Sequence, residues 1–160
     1  MFTVTQYDKE LDKSKYKWDE ENKVFSTKEN NLVLDFSDYI EVTFNTGYNC
    51  TFNTCENCTF KTGSHCTFNT GSYCTFNTGW NCTFNTGYSC TFNTGWNCAI
   101  IRYDVKGVIE IPANKTIMLN VYEISGYTEI KEEIKEEIKE VSCEGKVVEI
   151  EGKKYKLVSV

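Results

Sequence analysis

From Thr43 to Cys98 the chain reads TFNTGYNC, TFNTCENC, TFKTGSHC, TFNTGSYC, TFNTGWNC, TFNTGYSC and TFNTGWNC, seven consecutive octapeptides that are near copies of one another. A repeat this short specifies a stacked, quasi-one-dimensional fold, because each unit can meet only its neighbours. Within Cys50-Thr51-Phe52-Asn53-Thr54, apolar and polar residues alternate with the period of a strand. Cysteine and phenylalanine then share one face, while the first threonine and the asparagine share the other. The fifth place is glycine in six units and Cys55 in the remaining one. Glycine there is expected to supply a positive φ at a corner that the next two residues complete.

Eight residues span only ~26 Å, too short a perimeter to enclose a phenylalanine. Two octads per coil solve the problem: about 16 residues form a flattened coil with a strand on each side, at ~3.3 Å per residue. Phe44, Phe52, Phe60, Phe68, Phe76, Phe84 and Phe92 would stack between two parallel sheets. An antiparallel meander would instead leave one continuous Phe/Cys face uncovered, and no other segment is apolar enough to cover it. The predicted fold is therefore all-β dominated, a two-sided parallel β-solenoid with β-rich caps and one short C-terminal helix.

The flanks set the predicted organisation. Residues 1–34 read as an N-terminal cap of short strands around the acidic turn Asp19-Glu20-Glu21-Asn22, and 35–106 as the solenoid. In the fading unit Asp35–Val42, Phe36 and Val42 are expected at the Phe and Cys places; Ile100 replaces Phe beyond the last unit. Asn31 would stand where glycine falls. Residues 107–160 are expected to hold two strands across a turn (107–112 and 116–120), a helix over about 128–141 with Thr128 as N-cap, and a hairpin turning near Glu151-Gly152. The stripe Ile130, Ile134, Ile138 and Val141 would pack that helix on its own domain or join two subunits.

Composition narrows the function. A net charge of −6 argues against a broad grip on nucleic acid or anionic lipid. No apolar run approaches the ~18 residues of a membrane span, and the start lacks the pattern of a secretory signal. The expected location is a host cytoplasm or a virion. Seven of the nine cysteines simply close the repeat, which favours a ladder of buried reduced thiols over a disulfide scaffold. His65, the single histidine, lies at a repeat corner; Cys55 and Cys58 form a CxxC without a second pair, too few ligands for zinc. Cys143 has no histidine near it in sequence. With no phosphate loop, nucleophile elbow or dinucleotide fingerprint, the expectation is a non-enzyme without cofactor or metal.

What remains is surface. The outward Thr/Asn ladders (Thr51, Asn53, Thr67, Asn69, Thr83, Asn85) could order water, bind glycans or dock a protein; equally, Thr suits a strand former and Asn suits solubility alone. Tyr48, Ser64, Trp80 and Trp96 should stack along one corner, and Glu56, Ser72 and Tyr88 along the other. Exposed aromatics suit a partner or a sugar, and equally suit self-stabilising ring stacking.

The motifs CTFNTGYNC and CTFNTGWNC, followed by the departure into Ala99-Ile-Ile-Arg-Tyr-Asp-Val, resemble the octapeptide-repeat proteins of tailed bacteriophages and giant viruses. The resemblance covers roughly residues 32–110 and implies a viral origin more than an activity. It suggests a binding or structural module with a host or viral protein partner, either inhibiting a host factor or forming part of a virion. A looser similarity, to beetle antifreeze proteins, implies ice binding through the Thr/Asn ladders. DNA mimicry is a third class, although the octads carry only Glu56 and Lys61 as charges.

Overall fold

The computed structural model describes residues 1–131 in full and, beyond them, only the backbone of two strands, 147–150 and 153–156. In chain order the strands are β1 (Thr3–Gln6), β2 (Lys9–Glu10), β3 (Tyr16–Asp19), β4 (Val24–Thr27), β5 (Leu32–Phe36) and β6 (Thr43–Asn45). Then come β7 (Thr51–Thr54), β8 (Thr59–Lys61), β9 (Thr67–Asn69), β10 (Thr75–Thr78), β11 (Thr83–Thr86) and β12 (Thr91–Thr94). They are followed by β13 (Ala99–Arg102), β14 (Val108–Glu110), β15 (Thr116–Leu119), β16 (Tyr127–Ile130), β17 (Val147–Ile150) and β18 (Lys153–Lys156).

The octads alternate between two sheets. The first runs β14-β13-β11-β9-β7-β5-β1-β2, and the second β16-β15-β12-β10-β8-β6-β4-β3. Within each, the repeat strands pair in parallel and in register, Thr on Thr and Phe on Phe, 16 residues apart. This is the two-sided β-solenoid that the octad period dictates. Antiparallel strands close it at both ends, β1, β2 and β3 below and β14, β15 and β16 above. Such caps occupy the pairing edges that an open stack would leave free.

The core is a herringbone of phenylalanines. Rings in one column lie nearly parallel, as in Phe52–Phe68 (5.0 Å, 3°), and cross-column neighbours meet edge to face, as in Phe60–Phe68 (5.1 Å, 73°). All of Phe44 to Phe92 in the repeat are fully buried, each worth about 2–3 kcal/mol of apolar burial. Phe2, Tyr16, Trp18 and Tyr39 close the lower end of the column. At the upper end Ile100 takes the Phe place beside Phe84, and Ile117 lies opposite Phe92. The Cys residues form two buried ladders, Cys50-66-82-98 and Cys58-74-90, and the described cysteines are free thiols.

Several details differ from the sequence expectation. The repeat glycines do not adopt positive φ; the seventh residue does, at Asn49, Asn57, His65, Tyr73, Asn81, Ser89 and Asn97. The glycines serve proximity instead. A Cβ on Gly95 would sit 3.0 Å from the Trp80 nitrogen, and one on Gly71 3.0 Å from the Glu56 nitrogen. Each corner thus rests directly on the backbone of the coil below.

The register of the fading unit shifts by two residues. Leu34, not Phe36, occupies the Phe place beside Phe52, and Phe36 pairs with Thr54, because the coil from Val33 to Thr51 spans 18 residues. Val42 does stand in the Cys ladder, its carbonyl accepting from Thr59 as Cys58 accepts from Thr75. Asn31 is left-handed (φ 59°), but at the seventh place, beside Asn49. Parallel pairing already includes β4 and β5, and the acidic turn joins β3 to β4 as expected.

β14 and β15 do not form a hairpin together; each caps a different sheet. Nor does a helix begin at Thr128. Residues Tyr127–Ile130 are the strand β16 on β15, where an open edge and two β-branched residues outweigh the helical pattern. The remainder of that expected helix, 132–141, lies outside the described residues. β17 and β18 pair antiparallel with Ile150 opposite Lys153; the turn expected near Glu151-Gly152 lies outside the described residues.

Candidate binding surfaces

The alternation of octads sorts the sequence-predicted residues onto distinct surfaces. Thr51, Asn53, Thr67, Asn69, Thr83 and Asn85 all lie on β7, β9 and β11, on the outer face of the first sheet. They form two straight columns at the ~4.8 Å strand spacing. Within the Asn column, the Asn69 amide donates to Asn53 Oδ1 at 2.9 Å. The second sheet carries the same pattern, interrupted by Lys61. This asymmetry between the sheets is visible only once the coil is known to hold two octads.

Tyr48, Ser64, Trp80 and Trp96 share the corner that precedes the first sheet. Trp80 and Trp96 stack with centroids 5.2 Å apart and planes within 3° of parallel, and they are 39% and 58% exposed. His65 meets the Trp80 ring edge to face at 4.5 Å. Ser64 Oγ accepts from the Trp80 backbone N–H at 3.1 Å, pinning one coil on the next. Beside the rings runs an amide column in which Asn49 donates to Asn31 and Asn97 to Asn81.

The opposite corner carries Glu56, Ser72 and Tyr88, and here the structure adds residues that the sequence did not single out. Tyr88 packs edge to face on Tyr73 (5.4 Å) and on Tyr122 (5.6 Å). Hydrogen bonding to Tyr73 holds the Tyr88 phenol above its ordinary value, and that neighbour's charge and the Glu56 carboxylate push the same way. Tyr103 leaves the last coil and folds back along this corner, its hydroxyl 2.9 Å from Ser72 Oγ. Glu56, Ser72, Tyr88 and Tyr103 border a trough of about 470 Å³ that also includes Cys55, Asn69 and Asn85. Tyr103 was illegible in sequence because it lies past the repeat and is delivered by the chain's exit from the stack.

No protein-family model, curated protein or solved structure matches this chain. Cys58 is locked in the core ladder and Cys55 lies half-buried in the trough wall. Among the described residues no three or more His, Cys, Asp or Glu side chains gather as a metal-binding group. No helix among them is long and apolar enough to cross a membrane.

Arg102 is a further residue that sequence reasoning missed. It replaces threonine at the fourth place of the last coil and is buried. Its guanidinium pairs with Asp104 and donates to the carbonyls of Ile124 (2.8 Å) and Val121 (3.1 Å). Asp104 in turn accepts from the Glu123 N–H at 2.8 Å. Burial by itself would raise the Asp104 carboxyl; the Arg102 hydrogen bonds, the Glu123 N–H and the Arg102 charge outweigh it and hold the group below its ordinary value. This cluster anchors the 121–124 loop over the corner that carries Tyr88.

Proposed function

We propose that the protein is a non-catalytic β-solenoid that binds a macromolecular partner through the outer face of its first sheet and the Trp80–Trp96 corner. The observation that carries this is the parallel, half-exposed stack of two tryptophans beside an uncharged Thr/Asn face. The corner that carries those rings is pinned coil on coil by the Trp80 N–H on Ser64 Oγ and the Gly95 N–H on the Gly79 carbonyl, so little entropy is lost on contact. Aromatic anchors on such a surface are the usual energetic centre of a protein interface. The resemblance to viral octapeptide-repeat proteins supports a phage-type origin, with the partner a host factor or another virion component. Affinity capture of the tagged protein from bacterial lysate, compared with a Trp80→Ala, Trp96→Ala variant, tests it. Stoichiometric capture of one protein by the native chain and none by the variant is expected. Equal capture by both would remove the corner from the interface.

A second reading, ice binding, is favoured by one feature: the Thr and Asn columns of β7, β9 and β11 are straight, in register and free of charge. Thermal hysteresis at millimolar protein is its signature, and freezing behaviour identical to buffer would end it.

A further inference from the structure

The trough along the Tyr88 corner has the makings of a small-molecule site, separate from the Trp corner. Two aromatic side chains reach it, and neither is free to collapse. Tyr103 is tethered by its hydroxyl to Ser72 and lies over Gly87, where a Cβ would run into its ring. Tyr88 is braced between Tyr73 and Tyr122. Glycine at 87 is thus what leaves room for the Tyr103 ring.

The polar groups are equally specific. In the Asn column of the first sheet, Asn69 donates to Asn53, but among the described residues no corresponding bond joins Asn85 to Asn69. The Asn69 carbonyl oxygen and both ends of the Asn85 amide thus face the trough from adjacent strands without a side-chain partner among the described residues. Glu56 adds a carboxylate acceptor, and no Lys, Arg or His lines the space. Amide and carboxylate partners for vicinal hydroxyls, with an aromatic ring for a C–H face, describe recognition of an uncharged polyol ring. An anionic ligand would meet Glu56 with no cation to offset it. At about 470 Å³ the trough lies in the ordinary range for small ligands.

We propose that this trough binds one neutral pyranose unit, with Tyr103 and Tyr88 as its aromatic walls and Asn69, Asn85 and Glu56 as partners of its hydroxyls. The inference rests on the protein being a binding module but not on the Trp80–Trp96 corner. Saturation-transfer NMR on the full chain tests it, with the methyl glycosides of glucose, galactose and mannose, with N-acetylglucosamine, and with sialic acid. Transfer to at least one neutral sugar and none to sialic acid is expected. Asn85→Ala, an exposed position that the fold tolerates, should weaken the bound sugar at least about tenfold. The Trp80→Ala, Trp96→Ala variant should retain sugar binding even if partner capture is lost. Absence of transfer to every neutral sugar, sialic acid bound as well as they are, or an Asn85→Ala variant that binds like the native chain would overturn the proposal.

Discussion

Arg102 and Asp104 face each other as an ion pair with side chains 0% and 1% exposed, at the point where the chain leaves the repeat. The three coils below place Thr54, Thr70 and Thr86 where Arg102 stands, each hydroxyl donating to the next carbonyl, as Thr86 does to Gly87 at 3.1 Å. The pair therefore marks the change from repeat to cap. Removing one partner leaves a buried charge uncompensated, a loss of about 3–5 kcal/mol. Arg102→Met should lower urea stability by that order. Because the folded carboxyl of Asp104 lies below its unfolded value, its stabilisation is complete above the unfolded pKa and is lost as pH falls through the folded one. Native protein should thus lose stability in acid with a slope that Asp104→Asn lacks, as read by unfolding at stepped pH.

Phe76 sits mid-column, stacked on Phe60 and Phe92 at 4.9 and 4.7 Å. Phe76→Ala should cost about 3–5 kcal/mol by opening a cavity between both columns. Unchanged melting in that variant would refute an inward Phe ladder.

The corner assigns its two small-residue requirements to different places. At Asn81 (φ 55°) the requirement is conformational, so Asn81→Ala should cost about 1 kcal/mol while Asn81→Gly costs less. At Gly95 the requirement is space against the Trp80 backbone, so Gly95→Ala should destabilise by about 1–3 kcal/mol despite its ordinary φ. Thermal unfolding of the three variants checks the pattern, and a tolerated Gly95→Ala would contradict the close approach.

Five of the seven ladder thiols lie above their ordinary value, while Cys50 and Cys90 lie below it, so the balance of the ladders sets an alkaline limit. Hydrogen bonding to Cys50 and then burial push the Cys66 thiol up to about 11. Cys74 is pulled down by Cys58 but pushed up further by Cys90 and burial, to about 12. With folded values above the unfolded one, stability is intact at neutral pH and declines once unfolded thiols ionise, above pH ~8.5. A Cys66→Ala, Cys74→Ala variant should show a shallower decline in melting temperature from pH 8 to 10; identical slopes would remove the thiols as the cause.

The octads made the architecture legible because period, strand alternation and coil perimeter are all local arithmetic. They also placed Trp80 over Trp96 and gathered the six Thr/Asn residues on one face. What escaped was decided by neighbours distant in sequence. Thr128 and Ile130 belong to a strand because β15 offers them an edge. Leu34 displaces Phe36 because the first coil is longer. Tyr103 completes the trough only because the cap turns back across Gly87.

The two-octad coil also constrains how such a chain can change length. Duplicating one eight-residue unit would transfer everything downstream to the opposite side: Trp96 would part from Trp80, and each cap strand would reach the wrong sheet. Duplicating two units would insert one storey and leave every later residue on its own side. Growth or shrinkage by slippage in the gene is therefore expected to preserve parity, with viable variants differing by even numbers of octapeptides while their amino-acid motifs stay the same.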